Sequence, residues 1–336
     1  MIFVSLQPVL CVNILVMLNR RVLRAKVLQA VYAYVESGEE NVEVGVKYLL
    51  ESIDKLYELF IWQLSFLVET KRFAERRIDE NKHKHIPTPE DLNPNMRYVN
   101  NRLLLAIEDN KEFRKKETAL KINWADDQDI VRKYYNMMRS TPEYLAYMDT
   151  EKDSFSNDKA FLISMVENYF SDLEVLQDYY GEKSIFFVDD YHFVTSMLQR
   201  FLSDIKQDFG IDSHLPAIYR TERNEVNEDK EFVKDLFRQT IKNSDEYGRL
   251  IGKNISNWEK ERVCVMDMII LKMALAEMLC FHEIPVKVSI NEYIELSKYF
   301  STPKSKIFVN GILDRLMNQL NEENKIVKKG VGLLDK

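Results

Sequence analysis

The sequence predicts an all-α protein, and three observations carry that prediction. The chain has 336 residues, of which 46% are hydrophobic and 30% charged, the balance of a globular protein with an apolar interior. It holds only 9 glycines and 8 prolines, so little material is available for turns. Apolar residues also recur at helical spacing over most of the length. Together these features favour long helices, arranged in one large domain or two ordinary ones.

The first two predicted elements form an antiparallel helix pair. Within residues 18–34 the apolar side chains recur at i, i+4, i+7, i+8 and i+11, on one stripe of an amphipathic helix. A turn is predicted at Ser37 and Gly38, and the helical period resumes over residues 46–68. Because the connection is short, the two helices should be antiparallel neighbours.

The middle of the chain predicts a loop followed by several helices. Residues 81–95 contain three of the eight prolines, each of which removes a backbone donor and disfavours helix at the preceding residue. Beyond this loop, helical spacing predicts helices over residues 96–116, 126–138, 158–180 and 190–209. Helical periodicity resumes at Glu231 and continues to about Asn321.

Local signals divide the last third of the chain. Residues 263–281 are apolar on all sides except at three charged positions, which is typical of a buried central helix and costly in a bilayer. Ser289 and Glu292 have the spacing of a capping box, so we expect a helix to start there. Pro303 suits the first turn of the last helix, and Gly311 within that helix predicts a close approach by another helix. Residues 322–336 are expected to form a flexible tail.

The net charge of −7 limits how the chain could contact nucleic acid. The molecule as a whole repels phosphate, so such a contact needs a local basic patch or a basic partner. Three cysteines without CxxC spacing argue against a disulfide framework or a thiolate metal site, and they suit a reducing cytosol.

The first sixteen residues are apolar, but no Lys or Arg precedes them and no small-x-small cleavage site follows. We therefore expect residues 1–16 to be an upstream-start extension, with Met17 opening the functional chain. The alternative is a signal or anchor segment.

No catalytic site is predicted. The sequence has no Gly-rich phosphate loop and no GxSxG motif, and its five histidines form no HExxH or similar ligand set. Paired acids such as Asp126-Asp127 suit helix N-termini, where negative charge meets the positive end of the helix dipole. We expect no enzymatic activity, no cofactor and no metal.

A basic and aromatic cluster lies near the start of the first predicted helix. Arg20, Arg21 and Arg24 fall within about one turn, and Tyr32 lies eleven residues from Arg21 on nearly the same stripe. Guanidinium groups beside an aromatic ring can contact phosphates and stack a base, as in single-stranded RNA binding. From these residues alone, the commoner interpretation is a solvated helix face with a buried tyrosine.

Residues 283–316 carry a longer and more specific pattern. They contain a Pro-x-x-Val turn, the run I-N-E-x-x-E-L from Ile290, and the run S-x-x-F-V-N-G-x-L-D from Ser305. Two upstream segments extend it. The first consists of Asn257, Trp258 and Arg262, followed by the run D-x-x-I-L-x-x-A-x-x-E from Asp267. The second is the run R-R-x-x-R-x-x-x-L-Q-x-x-Y from Arg20. Taken in order, the segments resemble the NusB family of transcription antitermination factors.

The resemblance implies a NusB-like helical bundle of two small subdomains, interrupted by a helical insertion. It covers about residues 17–70 and 230–320, so residues 71–229 form the insertion, whose function the core does not reveal. We expect the N-terminal helices in residues 17–70 and the C-terminal core in residues 230–321.

The resemblance also implies a function. Members of this family pair with NusE, a ribosomal protein of the small subunit, and the pair binds boxA-type single-stranded RNA in ribosomal RNA transcripts. Bound there, it helps RNA polymerase resist termination, so we expect a cytoplasmic, non-enzymatic adaptor. The alternative is a ribosomal-protein chaperone or ribosome-assembly scaffold without direct RNA binding. An RNA methyltransferase would require strands and a glycine pattern that the insertion lacks.

The positions that match the family's binding residues form two sets. The expected RNA-binding residues are Arg20, Arg21, Arg24 and Tyr32 on the first helix, and Phe300, Lys304, Ser305 and Phe308 near the last. Phe300 and Phe308 suit base stacking and Lys304 suits phosphate, although phenylalanines are more often buried. Many relatives carry an acid where this chain has Lys304, and the lysine should strengthen phosphate attraction. Asp267 matches an acid near the NusE interface, and an internal salt bridge is its alternative role.

Overall fold

The computed structural model describes residues 18–151, 154–171, 173–219, 227–255 and 263–334. All the regular elements within these ranges are helices, which confirms the predicted all-α fold. The chain divides into two compact units. Unit 1 consists of the described residues of 16–53 and 218–336, and unit 2 of residues 54–217. The expected extension at residues 1–16, Met17 and the matched positions Asn257, Trp258 and Arg262 lie outside the described residues.

In chain order, the helices of the described ranges are α1 (Arg20–Ser37), α2 (Val42–Lys82), α3 (Pro89–Leu92), α4 (Arg102–Asp109), α5 (Lys111–Ala119), α6 (Gln128–Arg139), α7 (Pro142–Asp149), α8 (Phe155–Met165), α9 (Glu174–Lys183), α10 (Ile185–Asp204), α11 (Glu228–Lys242), α12 (Ser244–Asn254), α13 (Val265–Cys280), α14 (Val286–Phe300) and α15 (Ser305–Glu322). A π-helical turn (Val166–Phe170) follows α8, and a 3-10 turn (Gly330–Leu333) lies near the end of the described chain.

Helix α1 begins and ends where local chemistry dictates. The Asn19 side chain accepts a hydrogen bond from the backbone N–H of Val22 at 3.0 Å, which caps the N-terminus. At the other end Gly38 has a φ of 66°, and its N–H donates to the Val35 carbonyl. The predicted turn at Ser37 and Gly38 is confirmed. The next helix begins at Val42 and continues well past the predicted end at residue 68.

The core of unit 1 is built around α13. This helix contacts α1, α11, α12, α14 and α15, and its side chains from Ile269 to Met278 are almost all buried, which confirms the predicted central helix. Its lysine, Lys272, is half-buried, and the ammonium donates to the Ser244 hydroxyl at 2.7 Å. No helix in the described part of the chain is long and apolar enough to cross a membrane.

Two local expectations for the last helices are wrong. Helix α14 begins at Val286 with Pro285 as its N-cap, so Ser289 and Glu292 lie inside the helix and form no capping box. The Ser289 hydroxyl instead donates to the Glu277 carboxylate at 2.7 Å. A Cβ added at Gly311 would meet no described atom within 4 Å, so no close helix approach explains that glycine.

The chain beyond α15 returns to the turn that precedes α14. The Lys329 N–H donates to the carbonyl of His282 at 2.9 Å, and the His282 imidazole lies 2.6 Å from the Val327 carbonyl. A Cβ at Gly332 would lie only 2.2 Å from the same His282 carbonyl, so the backbone passes close to this turn. The described part of the expected tail therefore has specific contacts.

Unit 2 has an aromatic interior and a buried asparagine that shapes its helices. The Trp124 ring lies within contact distance of both Trp62 and Phe66. The Asn110 amide donates to the carbonyls of Gly210 and Ser213 and its oxygen accepts from the Phe113 N–H. This capping residue divides the predicted helix 96–116 into α4 and α5, and the π-helical turn ends the predicted helix 158–180 before α9.

The units have boundaries that differ from the predicted insertion. The structure separates them between residues 53 and 54 and between 217 and 218, whereas the expected insertion spans residues 71–229. The predicted boundary at residue 70 falls inside the continuous helix α2.

Candidate nucleic-acid interface

The three arginines at the start of α1 have very different surroundings in unit 1. Arg24 is 3% exposed, Arg21 is about one quarter exposed and Arg20 about one third exposed. The three positions share one side of the helix, so their different exposures come from the elements that pack against each side chain.

Arg24 forms a buried ion pair at the centre of unit 1. Its Nε and Nη2 donate to the two oxygens of Glu277 at 2.7 and 2.8 Å. The same carboxylate accepts from the Ser289 hydroxyl and from the Tyr293 hydroxyl at 3.0 Å. Burial works against the charged guanidinium, but the attraction of Glu277 outweighs it and raises the pKa of Arg24. In this conformation Arg24 is not presented to an RNA.

Arg21 and Arg20 are bound to carboxylates at the edge of the same unit. Arg21 donates to both oxygens of Glu292 on α14 at 2.8 and 2.6 Å, and this hydrogen bonding raises the pKa of Arg21. Arg20 makes a longer contact, 3.4 Å from its Nε to Asp229, and its guanidinium lies 5.2 Å from the ring centre of Phe232. The contact of Arg20 is the loosest of the three and the easiest to exchange for a phosphate.

Tyr32 lies away from the arginines on the same helix. Its side chain is 39% exposed, so the alternative of a fully buried tyrosine is wrong. Eleven residues separate it from Arg21, which corresponds to roughly 16 Å along the helix axis. A single nucleotide cannot contact both, although a short single strand running along α1 would reach both.

The second set of predicted residues surrounds the loop between α14 and α15. Ser305 is 2% exposed, and its hydroxyl donates to Oδ2 of Asp267 at 2.9 Å. The backbone N–H of Thr302 donates to the Ser305 oxygen at 3.2 Å, and the Ser301 hydroxyl lies 3.0 Å from it. Ser305 therefore ties the loop to α13 from the inside.

Asp267 is itself buried, at 2% exposure. Its Oδ1 has no hydrogen-bond partner among the described residues. The predicted alternative of a salt bridge is not found in the described part of the chain. The placement of Asp267 beneath the loop makes it an anchor for Ser305.

Lys304 is one of the two predicted residues that the structure leaves exposed, the other being Tyr32. Phe300 and Phe308 on either side of Lys304 are half-buried, so each ring keeps an accessible portion. Sequence reasoning missed two neighbours, the exposed Lys306 and the 78% exposed Ile307. Their position on the outer side of the first turn of α15 was the available signal.

Helix α14 brings the two predicted sets into one unit. Glu292, which holds Arg21, lies on α14 eight residues before Phe300, or roughly 12 Å along the axis. The loop with Lys304 follows directly. Sequence reasoning also missed the acids that hold the arginines, since Glu277 and Glu292 lie more than 250 residues from their partners.

The described residues contain no cluster of metal-ligating side chains. No group of three or more His, Cys, Asp or Glu side chains in them is arranged to hold a metal ion. Both described cysteines are free and half-buried, with the Cys264 sulfur 3.1 Å from the Ser301 hydroxyl.

Comparisons with known proteins give one consistent result. A sequence profile of the NusB family matches residues 195–318. The transcription antitermination protein NusB of Salinibacter ruber is 38% identical over 127 residues, covering 38% of this chain and 79% of that protein. Its namesake from Koribacter versatilis is 37% identical over 123 residues, covering 36% and 84%. The one from Chloroherpeton thalassium is 41% identical over 106 residues, covering 32% and 50%. No solved structure gives a significant match.

Proposed function

This chain belongs to the NusB family, as its sequence patterns predicted, and from that membership we propose that it is an RNA-binding transcription antitermination factor. Each of these three relatives carries the name of an antitermination protein. The protein acts as a non-enzymatic adaptor in the cytoplasm, where it joins the antitermination complex of RNA polymerase. Its ligand is boxA-type single-stranded RNA of ribosomal RNA operons, bound together with NusE.

The observation that carries this proposal is the basic and aromatic surface at the end of α14, the loop after it and the first turn of α15. Lys304 and Lys306 have no carboxylate within ion-pair distance among the described residues, so both charges are available to phosphates. The accessible portions of Phe300 and Phe308 lie beside them and can stack bases. Arg20 and Tyr32, on α1 of the same unit, supply a further cation and a further exposed ring.

The predicted residues that are bonded to side chains of other helices act by positioning. Arg24 fixes α1 against α13 through Glu277, and Arg21 fixes it against α14 through Glu292. Ser305 and Asp267 hold the loop that carries Lys304. Asp267 thus serves the interface from within, and contact with NusE falls to residues at the surface.

Titration of a labelled boxA-type RNA tests this proposal. The double substitution Lys304→Ala/Lys306→Ala removes two phosphate contacts. The slope of log K against log salt should therefore become shallower by about 1.4, since each contact to single-stranded RNA contributes about 0.7. The matched control is Lys47→Ala/Lys253→Ala, which removes two exposed lysines elsewhere in unit 1. An unchanged slope in the first variant, or an equal change in the control, would refute the proposed surface.

One observation favours the alternative, a ribosomal-protein chaperone or assembly scaffold. All three arginines of α1 are held by internal carboxylates, which lowers their availability to RNA. This alternative predicts that NusE co-purifies with the full chain while neither the chain nor the complex binds the RNA. Measurable RNA affinity of the complex that depends on Lys304 and Lys306 excludes it.

A further inference from the structure

The outer side of α9 and α10 in unit 2 combines exposed apolar side chains with exposed acids. Ile185 is 75% exposed, which is unusual for so large an apolar residue. Three apolar residues and three acids make up this surface, which we call the acidic-apolar face: Val175, Ile185, Val188, Asp178, Glu182 and Asp189.

The residues of this face are contiguous. On α10, Ile185, Val188 and Asp189 have the i, i+3, i+4 spacing that puts side chains on one side of a helix. A Cβ at Gly181 of α9 would lie 3.3 Å from Cγ2 of Val188, so the two helices are in contact there. Asp178 lies one turn before Gly181 on α9, beside this contact.

The acids of the face are not neutralised by the local lysine. Lys183 is the only Lys or Arg between residues 174 and 199. Its ammonium lies 4.9 Å from the ring centre of Trp62 and 4.4 Å from that of Tyr179, and 3.4 Å from a carboxylate oxygen of Asp127. Within the described ranges, no cation lies within ion-pair distance of Asp178, Glu182 or Asp189.

The surrounding sequence extends the negative charge. Residues 140–217 contain fifteen Asp and Glu against five Lys and Arg, a greater excess of acids than the net charge of −7 of the whole chain. Such a surface repels phosphate and attracts cationic groups. Apolar residues surrounded by charges of one sign are typical of a surface that recognises a protein of opposite charge.

We propose that the acidic-apolar face docks a protein partner through a segment that is rich in Lys or Arg and carries apolar anchor residues. Ile185 and Val188 bury the apolar anchors, and Asp178, Glu182 and Asp189 pair with the flanking cations. The face belongs to unit 2, and none of its residues takes part in the RNA surface proposed for unit 1. The inference is therefore independent of the proposed function, to which it adds a second binding activity.

Fluorescence anisotropy with the full chain tests the inference. The probe is a labelled amphipathic helical peptide of about 18 residues, with leucines on one stripe and lysines elsewhere. A second peptide replaces every lysine with glutamate. The lysine peptide should bind at about 0.15 M salt and the glutamate peptide should not. The triple variant Asp178→Lys/Glu182→Lys/Asp189→Lys should raise the Kd for the lysine peptide at least about tenfold. Ile185→Ser should also weaken binding, because it removes the most exposed anchor.

The matched control reverses three exposed acids of unit 2 that lie outside the face, Glu80→Lys/Asp126→Lys/Asp149→Lys. It changes the net charge of the chain equally and should leave the Kd within about twofold. Equal losses in both triple variants, or failure of the lysine peptide to bind, overturn the inference. Two further results overturn the inference. In the first, the chain binds single-stranded RNA and the triple variant Asp178→Lys/Glu182→Lys/Asp189→Lys abolishes that binding. In the second, the chain associates with itself and Ile185→Ser abolishes that association.

Discussion

Replacing Arg24 with methionine should destabilise unit 1 far more than replacing any exposed arginine. Methionine keeps much of the apolar volume but leaves Glu277, which is fully buried, without its cation. Removing one partner of a buried ion pair costs about 3–5 kcal/mol. Because Ser289 and Tyr293 still donate to Glu277, we expect the lower end, about 3 kcal/mol.

The structure supplies a matched control in the same unit. Arg238 makes a bidentate pair with Glu43, with both contacts at 2.9 Å, but that pair is exposed. Exposed pairs contribute about 0–1 kcal/mol, so Arg238→Met should have little effect. Comparing the two variants separates the effect of burial from the loss of an Arg–Glu pair as such.

Hydrogen exchange followed by mass spectrometry is the suitable assay, because a chain of two units need not unfold in one step. A loss of about 3 kcal/mol should accelerate the slowest exchange in peptides from α1 and α13 roughly 100-fold. Peptides from α9 and α10 report on unit 2 in the same sample. The double variant Arg24→Met/Glu277→Gln should recover about 2 kcal/mol, because it removes the uncompensated charge. The reasoning fails if Arg24→Met has no more effect than Arg238→Met, or if the double variant is the least stable.

Two further predictions concern stability. Gly311→Ala should stabilise unit 1 by about 1 kcal/mol, since the added Cβ meets no described atom within 4 Å and alanine favours helix. Gly45→Ala should destabilise unit 1, because the added Cβ would lie 2.4 Å from the Phe237 ring. Equal melting temperatures for the Gly311→Ala and Gly45→Ala variants would contradict this contrast. Lys272 gives a pH dependence, since burial lowers its pKa below the ordinary 10.5. Between its folded and unfolded pKa values the unfolded chain binds more protons, so this group's contribution to stability rises with pH up to about 10.5. The stability of wild type relative to Lys272→Met should therefore increase as the pH rises towards 10.5, and a decrease would show that the sign is wrong.

The parts of the fold that sequence predicted well are those governed by local chemistry. Gly38 ends α1 because a left-handed residue is needed there, and the apolar run around α13 identifies the central helix whatever surrounds it. The capping box at Ser289 failed for the opposite reason. Its serine and its glutamate both bind partners from other helices, Glu277 and Arg21, which no local pattern shows. Asn110 likewise divides a predicted helix because distant carbonyls accept its amide.

The same distinction changes the interpretation of the candidate site. The pattern that identified the family includes Arg24, Glu277, Asp267 and Ser305, and all four side chains are buried and bonded to one another in two pairs. Removing such a residue acts first on the position of α1 or of the loop before α15, and only through that position on RNA. The exposed Lys304 and Lys306 can be changed without disturbing either pair. Substitutions at these two lysines therefore measure RNA contact directly, whereas an RNA-binding defect in an Arg24 variant is evidence for contact only if α1 and α13 exchange as slowly as in the wild type.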